Sequence, residues 1–197
     1  MKTIILIRHS EPIKDRTMPT AELPLSEQGH LRARELFSLD VFRSVDAVYS
    51  SPYRRAYSTA EKLHKPLNVD ARLRERELGN PDTLNAAFWN RQYEDHAYKN
   101  DGGESLNDVR ARMTSTIRGI MAAMQDGDTV AVISHAAAIC AFLLNWCTIE
   151  VTDQQKKLRK ITYQGAVVMN GSIAAPSAFV LAFEHEQLCG ITYMRQP

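Results

Sequence analysis

Two histidines in this sequence each follow a short apolar run that is typical of a buried β-strand. His9 comes just after the run at 3–7, with Arg8 between them, and His135 comes just after the run at 129–133. A neutral imidazole can attack phosphorus, and a second imidazole can share the charge on the phosphoryl oxygens. Open α/β sheets bind ligands at the carboxyl ends of their strands. The two positions therefore suggest phosphoryl transfer.

Arginine is the side chain that this chemistry needs beside the histidines. Its planar guanidinium binds phosphate oxygens in bidentate fashion and stays charged at physiological pH. Arg8 supplies one such group. Arg54 and Arg55 follow one turn after Ser50-Ser51-Pro52, where another predicted strand ends. Two or more arginines can thus reach the same sheet edge as the histidines.

A carboxyl group must also protonate the leaving alkoxide. Glu75 and Glu77 are the candidates, because both lie in the charged segment at 72–81 that ends in a Gly-Asn-Pro turn. The structural alternative is a surface loop held by exposed ion pairs, each of which contributes only about 0–1 kcal/mol. The residue types alone leave both interpretations open.

The elements that must position these side chains can be predicted from apolar periodicity. Buried strands are expected at 3–7, 45–49 and 129–133. Helices are expected at 27–39, 53–63, 86–98, 104–124 and 136–146. Ser26 is the expected N-cap of the first helix, while Ser51 and Pro52 are expected to cap and open the second. Two late apolar runs, at 178–183 and 189–194, suggest a closing hairpin.

This alternation predicts an α/β three-layer sandwich, with a mainly parallel central sheet flanked by helices. The 197 residues are expected to form a single domain, 1–197, because no linker or repeat interrupts them.

Composition narrows the function class. A formal net charge of +1 gives no bulk reason to expect nucleic acid or an anionic membrane as partner. No apolar run is long enough for a membrane span or a signal peptide. Three cysteines without metal-site spacing fit reduced thiols. We therefore expect a cytoplasmic protein that binds no metal.

Six short motifs, in order over about residues 4–140, resemble those of the histidine phosphatase superfamily, the phosphoglycerate mutase-like proteins. They are Leu6-Ile7-Arg8-His9, Leu25-Ser26-Glu27-Gln28-Gly29, the element at 50–60, Leu73-Arg74-Glu75, Gly103-Glu104-Ser105 and Ser134-His135. The resemblance implies a phosphoglycerate mutase-like fold and a metal-independent phosphomonoesterase that needs no cofactor. Its substrate would be a small phosphorylated metabolite.

The resemblance also assigns roles residue by residue. His9 matches the nucleophile, and Glu75 matches the acid. The phosphate-binding positions correspond to Arg8, Arg55 (rather than Arg54) and His135, which also counts as catalytic.

Some positions depart from the family pattern. Ser10 and Ala136 stand where glycine is usual, and Arg32 stands where glutamine is common. Ser10 is expected to crowd or hydrogen-bond the phosphate. The basic run at 156–160 is either a solvated face or a device at the pocket mouth that attracts anions.

Two other functions remain open at this point. The same phosphohistidine serves a phosphoglycerate mutase that depends on 2,3-bisphosphoglycerate. About 27 residues between Glu75 and Gly103 leave little room for the insertion that encloses the substrate in such mutases. A module that binds a phospho-ligand without turnover is the second alternative, motivated by Ser10 and Ala136.

Overall fold

A computed structural model describes residues 1–195, and nine strands form two sheets in it. The strands are β1 (Lys2–Arg8), β2 (Ala47–Ser50), β3 (Leu67–Val69), β4 (Thr129–Ser134), β5 (Cys147–Asp153), β6 (Leu158–Tyr163), β7 (Ala166–Gly171), β8 (Ser177–Glu184) and β9 (Gln187–Arg195). The central sheet has the order β3-β2-β4-β1-β8-β9. Its first four strands are parallel, whereas β8 and β9 form an antiparallel hairpin at one side. The α/β fold, the mainly parallel sheet and the closing hairpin are confirmed.

Helices pack on both faces of the central sheet. They are α1 (Glu27–Phe37), α2 (Arg54–Ala60), α3 (Ala86–Glu94), α4 (Leu106–Ala123) and α5 (Ala136–Leu143). Successive residues of a strand point to opposite faces, so Ile5 and Ile7 of β1 pack against α1 and α2. Ile4 and Leu6 pack against α4 and α5. β1 and β4 in the middle of the sheet are thereby buried from two sides, which accounts for their continuous apolar runs.

The helix starts agree with the sequence in part. Ser26 is the N-cap of α1, because its Oγ accepts the backbone N–H of Gly29 at 3.0 Å. The predicted start of α2 is wrong. Tyr53 occupies its N-cap position, and Ser51 lies two residues earlier with its hydroxyl facing His135.

Four strands escaped the sequence analysis. β3 has only three residues, too few to show a period. β5, β6 and β7 form a separate antiparallel sheet whose residues alternate between exposed and partly buried. Ile161 and Met169 of this sheet join the same apolar core as α4 and α5. No helix among residues 1–195 is both long and apolar enough to cross a membrane.

The segment after β1 is locked against α1 at a glycine. A Cβ atom on Gly29 would lie 2.1 Å from the carbonyl oxygen of Glu11. Ser10 also contacts this glycine, because its Oγ donates to the carbonyl oxygen of Gly29 at 2.6 Å. These contacts fix the backbone that follows His9 against α1.

Gly29→Ala is therefore expected to lower the free energy of unfolding by about 2 kcal/mol or more, because backbone has to move away from the new methyl group. Gly119→Ala in α4 is the matched control, since a Cβ there meets no heavy atom within 4 Å. The control is expected to gain about 0.5–1 kcal/mol. Urea unfolding measures both; equal effects of the two substitutions would contradict the close contact.

Candidate active site

Parallel pairing of β1 with β4 brings the two histidines together. The register places Arg8 opposite Ser134, so the chain leaves both strands at the same level. The backbone N–H of His9 donates to the carbonyl oxygen of Ser134 at 3.0 Å. The imidazole centroids of His9 and His135 lie 5.0 Å apart. Both side chains are buried, at 6% and 0% exposure.

Arg55 connects these two imidazoles. Its Nε donates to Nε2 of His9 at 3.0 Å, and its Nη2 contacts Nδ1 of His135 at 3.1 Å. Its Nη1 donates to the backbone carbonyl of Thr20. Arg55 is buried, while Arg54 is exposed to solvent. The structure thus brings Arg55 into the histidine cluster and leaves Arg54 outside it.

The partners of His9 define its tautomer. Nδ1 lies 2.7 Å from the carbonyl oxygen of Ser10, which can only accept, so Nδ1 carries the proton. Nε2 then holds the lone pair. Burial first, and then the charge of Arg55, lower the pKa of His9 to about 3. The imidazole is therefore neutral, as a nucleophile must be.

His135 is neutral for the same reasons. Burial, followed by His9 and Arg55, holds the pKa of His135 well below its usual value. Its Nδ1 accepts from Arg55, so Nε2 carries the proton and donates to Oγ of Ser51 at 2.8 Å.

Ser10 does not occupy the place expected of it. It is fully buried, its Oγ donates to Gly29, and its backbone N–H donates to Oγ1 of Thr59 at 2.9 Å. The hydroxyl is thus engaged by α1 rather than facing a bound phosphate, and the expectation of crowding was wrong. The serine is accommodated because a carbonyl acceptor lies within its reach.

Arg8 lies on the other side of the sheet edge from Arg55. It donates through Nη1 to the carbonyl of Ile173, and its buried Nε has no partner. Burial lowers the pKa of Arg8, and the nearby Glu75 opposes that shift. Arg8 keeps unused donor capacity for an anion.

Glu75 binds the start of α5. Its carboxylate accepts the backbone N–H of Arg76 at 2.9 Å, of Ala138 at 3.1 Å and of Ala137 at 3.4 Å. Glu77 is instead exposed and paired with Arg74 at 3.0 Å. Of the two candidate acids, Glu75 is the one beside the histidine-bearing strand ends.

The sequence analysis missed Arg112, which fixes the loop that carries Glu75. From α4 it donates to the backbone carbonyls of Arg72 (2.7 Å), Arg74 (3.0 Å) and Glu75 (3.2 Å). It is itself held by Glu104, with Nε to Oε1 at 2.7 Å and Nη2 to Oε2 at 2.9 Å. An arginine inside an amphipathic helix gives no sequence signal of the loop that it reaches.

Glu104 has a role besides preceding the Ser105 N-cap of α4. Burial would raise the pKa of Glu104, but the hydrogen bonds from Arg112 and from the backbone N–H of Glu77 outweigh it and hold the pKa below its usual value. The carboxylate therefore stays ionised between Arg74 and Arg112. The motif at 103–105 positions the Glu75 loop as well as starting a helix.

A cavity of about 850 Å³ opens over Arg8 and Glu75. The segment at 78–96 and the β5–β6 hairpin supply much of its wall. Five of its charged side chains are cationic and one, Glu75, is anionic; the cations are Arg8, Arg76, Lys156, Lys157 and Arg159. The basic run is thus at the pocket. His9, Arg55 and His135 are buried and not part of this wall. Among residues 1–195, no three His, Cys, Asp or Glu side chains are grouped to hold a metal.

Comparison with known proteins identifies a matching family and a related protein. A family model described as histidine phosphatase superfamily (branch 1) matches residues 4–165. "Uncharacterized phosphatase PhoE" of Bacillus subtilis (strain 168) is 27% identical over 150 residues, which cover 73% of this chain and 76% of that protein.

Two solved structures share the fold. A mycobacterial glucosyl-3-phosphoglycerate phosphatase is 23% identical, with a TM-score of 0.69, covering 99% of this chain and 97% of that chain. A phosphoserine phosphatase from Entamoeba histolytica, in complex with phosphoserine, is 18% identical, with a TM-score of 0.68 and coverage of 98% and 97%.

The neutral buried histidines make stability depend on pH. Since the folded-state pKa of His9 is depressed, the unfolded chain takes up a proton that the folded chain does not, and stability falls as pH drops below about 6.5 toward 3. Between about pH 6.5 and 5.5, His9→Asn should remove up to about 1.4 kcal/mol per pH unit from this slope. Urea unfolding at several pH values measures it.

His64→Asn is the control, because it removes an exposed histidine at a position where φ is 52° and asparagine is tolerated. An unchanged slope in His9→Asn would show that the imidazole is not held neutral.

Proposed function

Because the chain belongs to the histidine phosphatase superfamily, we propose that it hydrolyses a small phosphomonoester through a phosphohistidine on His9. The observation that carries the proposal is the placement of Arg55 between two neutral imidazoles, with the lone pair of His9 Nε2 facing the guanidinium. A phosphoryl group that replaces this contact would put phosphorus next to the nucleophile and its oxygens next to the cation. The related proteins named as phosphatases support hydrolysis.

In the first half-reaction, Nε2 of His9 attacks phosphorus in line. A P–N bond forms while the P–O bond to the alcohol breaks, and Glu75 gives its proton to the departing alkoxide. Nδ1 of His9 keeps its proton as the ring becomes cationic. It donates a hydrogen bond to the carbonyl oxygen of Ser10 at 2.7 Å. The products of this half-reaction are a free alcohol and phosphohistidine.

The second half-reaction reverses the roles. Water attacks phosphorus, its proton passes to the Glu75 carboxylate, and the P–N bond breaks. Inorganic phosphate leaves, and His9 returns to its neutral form. The two half-reactions together consume one water and one phosphate ester and release one alcohol and one phosphate. Glu75 and His9 both return to their starting protonation states.

Charge on the transferring group is balanced by Arg8, Arg55 and His135. Donors aimed at developing charge in a site with little water are worth on the order of 3 kcal/mol each. The unpartnered Nε of Arg8 and the two donors that Arg55 turns toward the imidazoles are free to rearrange onto phosphoryl oxygens. Arginine cations take the place of a metal ion in this scheme.

The first test is hydrolysis of p-nitrophenyl phosphate in the presence of EDTA. Wild type should release phosphate, and His9→Ala should lose at least about 10³-fold in kcat because no other group can take the phosphoryl. Rapid quench should trap an acid-labile, alkali-stable phosphoenzyme in wild type alone. His64→Asn serves as the control. Full turnover by His9→Ala would refute the mechanism, and exchange of phosphoglycerates that outpaces phosphate release would favour a mutase.

A second test separates the acid from its neighbour by leaving-group dependence. Glu75→Gln should lower kcat/KM for an alkyl ester such as glycerol 3-phosphate by about 10²–10⁴-fold, because the alkoxide needs a proton. The loss for p-nitrophenyl phosphate should be far smaller, since nitrophenolate leaves readily without one. Glu77→Gln, two residues away and exposed, is the matched control. Equal losses for both esters would exclude Glu75 as the acid.

A further inference from the structure

Arg8 is held by the loop at residues 172–176, which connects β7 to β8. Its Nη1 donates to the backbone carbonyl of Ile173, a buried residue of the apolar core. Both residues line the 850 Å³ cavity. A guanidinium is planar and rigid, so a hydrogen bond to one nitrogen of a side chain rooted at the end of β1 fixes where its other N–H groups point. The position of the Ile173 carbonyl therefore sets the direction in which Arg8 presents its donors to an anion.

The peptide unit that binds Arg8 is also held from its other side. The carbonyl of Ile173 and the N–H of Ala174 belong to one peptide unit, which is planar and rigid, and they point in opposite directions. Oη of Tyr193, on β9, accepts this N–H at 2.9 Å. One rigid unit thus connects the tyrosine to the arginine, and a rotation of that unit would break both hydrogen bonds together.

Tyr193 is itself fixed by the central sheet. It lies opposite Phe179 in the register of β8 and β9, and the two ring centroids are 4.8 Å apart. Ser177, which lies opposite Arg8 in the register of β1 and β8, adds a second tether to the same loop. Its Oγ donates to the carbonyl oxygen of Ala174 at 2.8 Å. Two side chains of the β8–β9 hairpin therefore hold the 172–176 loop beside Arg8.

We propose that Tyr193 is a positioning residue for the phosphatase reaction, acting through the Ile173–Ala174 peptide unit to hold Arg8 toward the phosphoryl group. This inference rests on the proposed function, because it takes Arg8 as a ligand of the phosphoryl oxygens. Tyr193 is not part of the cavity wall and needs no contact with the substrate. Without its hydroxyl, the peptide unit can rotate, and Arg8 loses its orientation while it keeps its charge.

Tyr193→Phe tests this connection, because it removes the hydroxyl and keeps the ring against Phe179. Inorganic phosphate is the direct probe of Arg8, since it offers the phosphoryl oxygens without a leaving group. Its inhibition constant against p-nitrophenyl phosphate should rise about threefold to tenfold, which is the effect of one hydrogen bond. KM for p-nitrophenyl phosphate should rise with it.

Tyr163→Phe is the matched control. The Tyr163 hydroxyl donates to the backbone carbonyl of Leu188 at 2.5 Å, so this tyrosine is also bonded to backbone, at the far end of the β8–β9 hairpin from the 172–176 loop. Both tyrosines are half-buried. The two substitutions should lower stability in urea to a similar extent, but Tyr163→Phe should keep the wild-type inhibition constant for phosphate.

Ser177→Ala gives an independent measurement if Tyr193→Phe fails to fold. It removes the second tether of the 172–176 loop and leaves Tyr193 in place. The inhibition constant for inorganic phosphate should rise in the same direction.

A double-mutant cycle shows whether the effect passes through Arg8. Arg8→Ala should lower kcat/KM for p-nitrophenyl phosphate by about 10²–10³-fold, which leaves a measurable rate. In that background, Tyr193→Phe should change kcat/KM by less than about twofold, because the side chain that it positions is gone.

The outcomes separate this inference from the function on which it rests. Unchanged inhibition constants in both Tyr193→Phe and Ser177→Ala, or an equal loss with and without the Arg8 side chain, would overturn the inference and leave the phosphatase intact. Tyr193 would then only secure the end of the β8–β9 hairpin.

A wild type that hydrolyses no ester would overturn the proposed function, and calorimetric titration with inorganic phosphate would then decide the inference separately. Weaker phosphate binding by Tyr193→Phe than by wild type would support the positioning of Arg8 at an anion site. Equal binding by the two proteins, or no binding by wild type, would overturn it.

Discussion

The insertion of one buried guanidinium between two imidazoles is the constraint on which the site depends. A cation in this position can only be tolerated if the imidazoles stay neutral and offer it acceptors, and its charge in turn keeps them neutral. The arrangement requires β1 and β4 to end at the same level and α2 to begin where Arg55 reaches across both strand ends. The parallel register, the position of Tyr53 as N-cap of α2 and the hydrogen bond from His135 to Ser51 all serve that one geometry.

The loop of Glu75 is fixed by side-chain hydrogen bonds, because it does not directly follow a strand of the central sheet. Arg112 of α4, which is held by Glu104 just before that helix, binds three backbone carbonyls of the loop, those of Arg72, Arg74 and Glu75. The first turn of α5 then receives the carboxylate through two backbone N–H groups. The acid is thereby fixed relative to His135, whose backbone directly precedes α5. Two helices that bury their apolar faces in one core thus set the distance between acid and histidine.

The sequence was informative for functional residues that come directly after a buried strand. Buried strands show as apolar runs, and the residue that follows such a run lies at the sheet edge, so a position there could be predicted for His9 and His135. The choice of Arg55 over Arg54 came from the family resemblance. Arg112 could not be predicted, because the loop carbonyls that it binds lie 37–40 residues away along the chain and are brought to it only by tertiary packing. The β5–β7 sheet was missed because its half-exposed strands lack a clear period. Ser10 was misjudged because the acceptor for its hydroxyl, the Gly29 carbonyl, lies on a separate helix.

The cavity divides the molecule into a fixed part and a variable part. The phosphoryl end depends on strand register and on buried neutral histidines, so few substitutions there preserve both charge and packing. The far wall comes from the segment at 78–96 and from the β5–β6 hairpin, neither of which belongs to the central sheet. Side chains on those segments can change without moving the nucleophile.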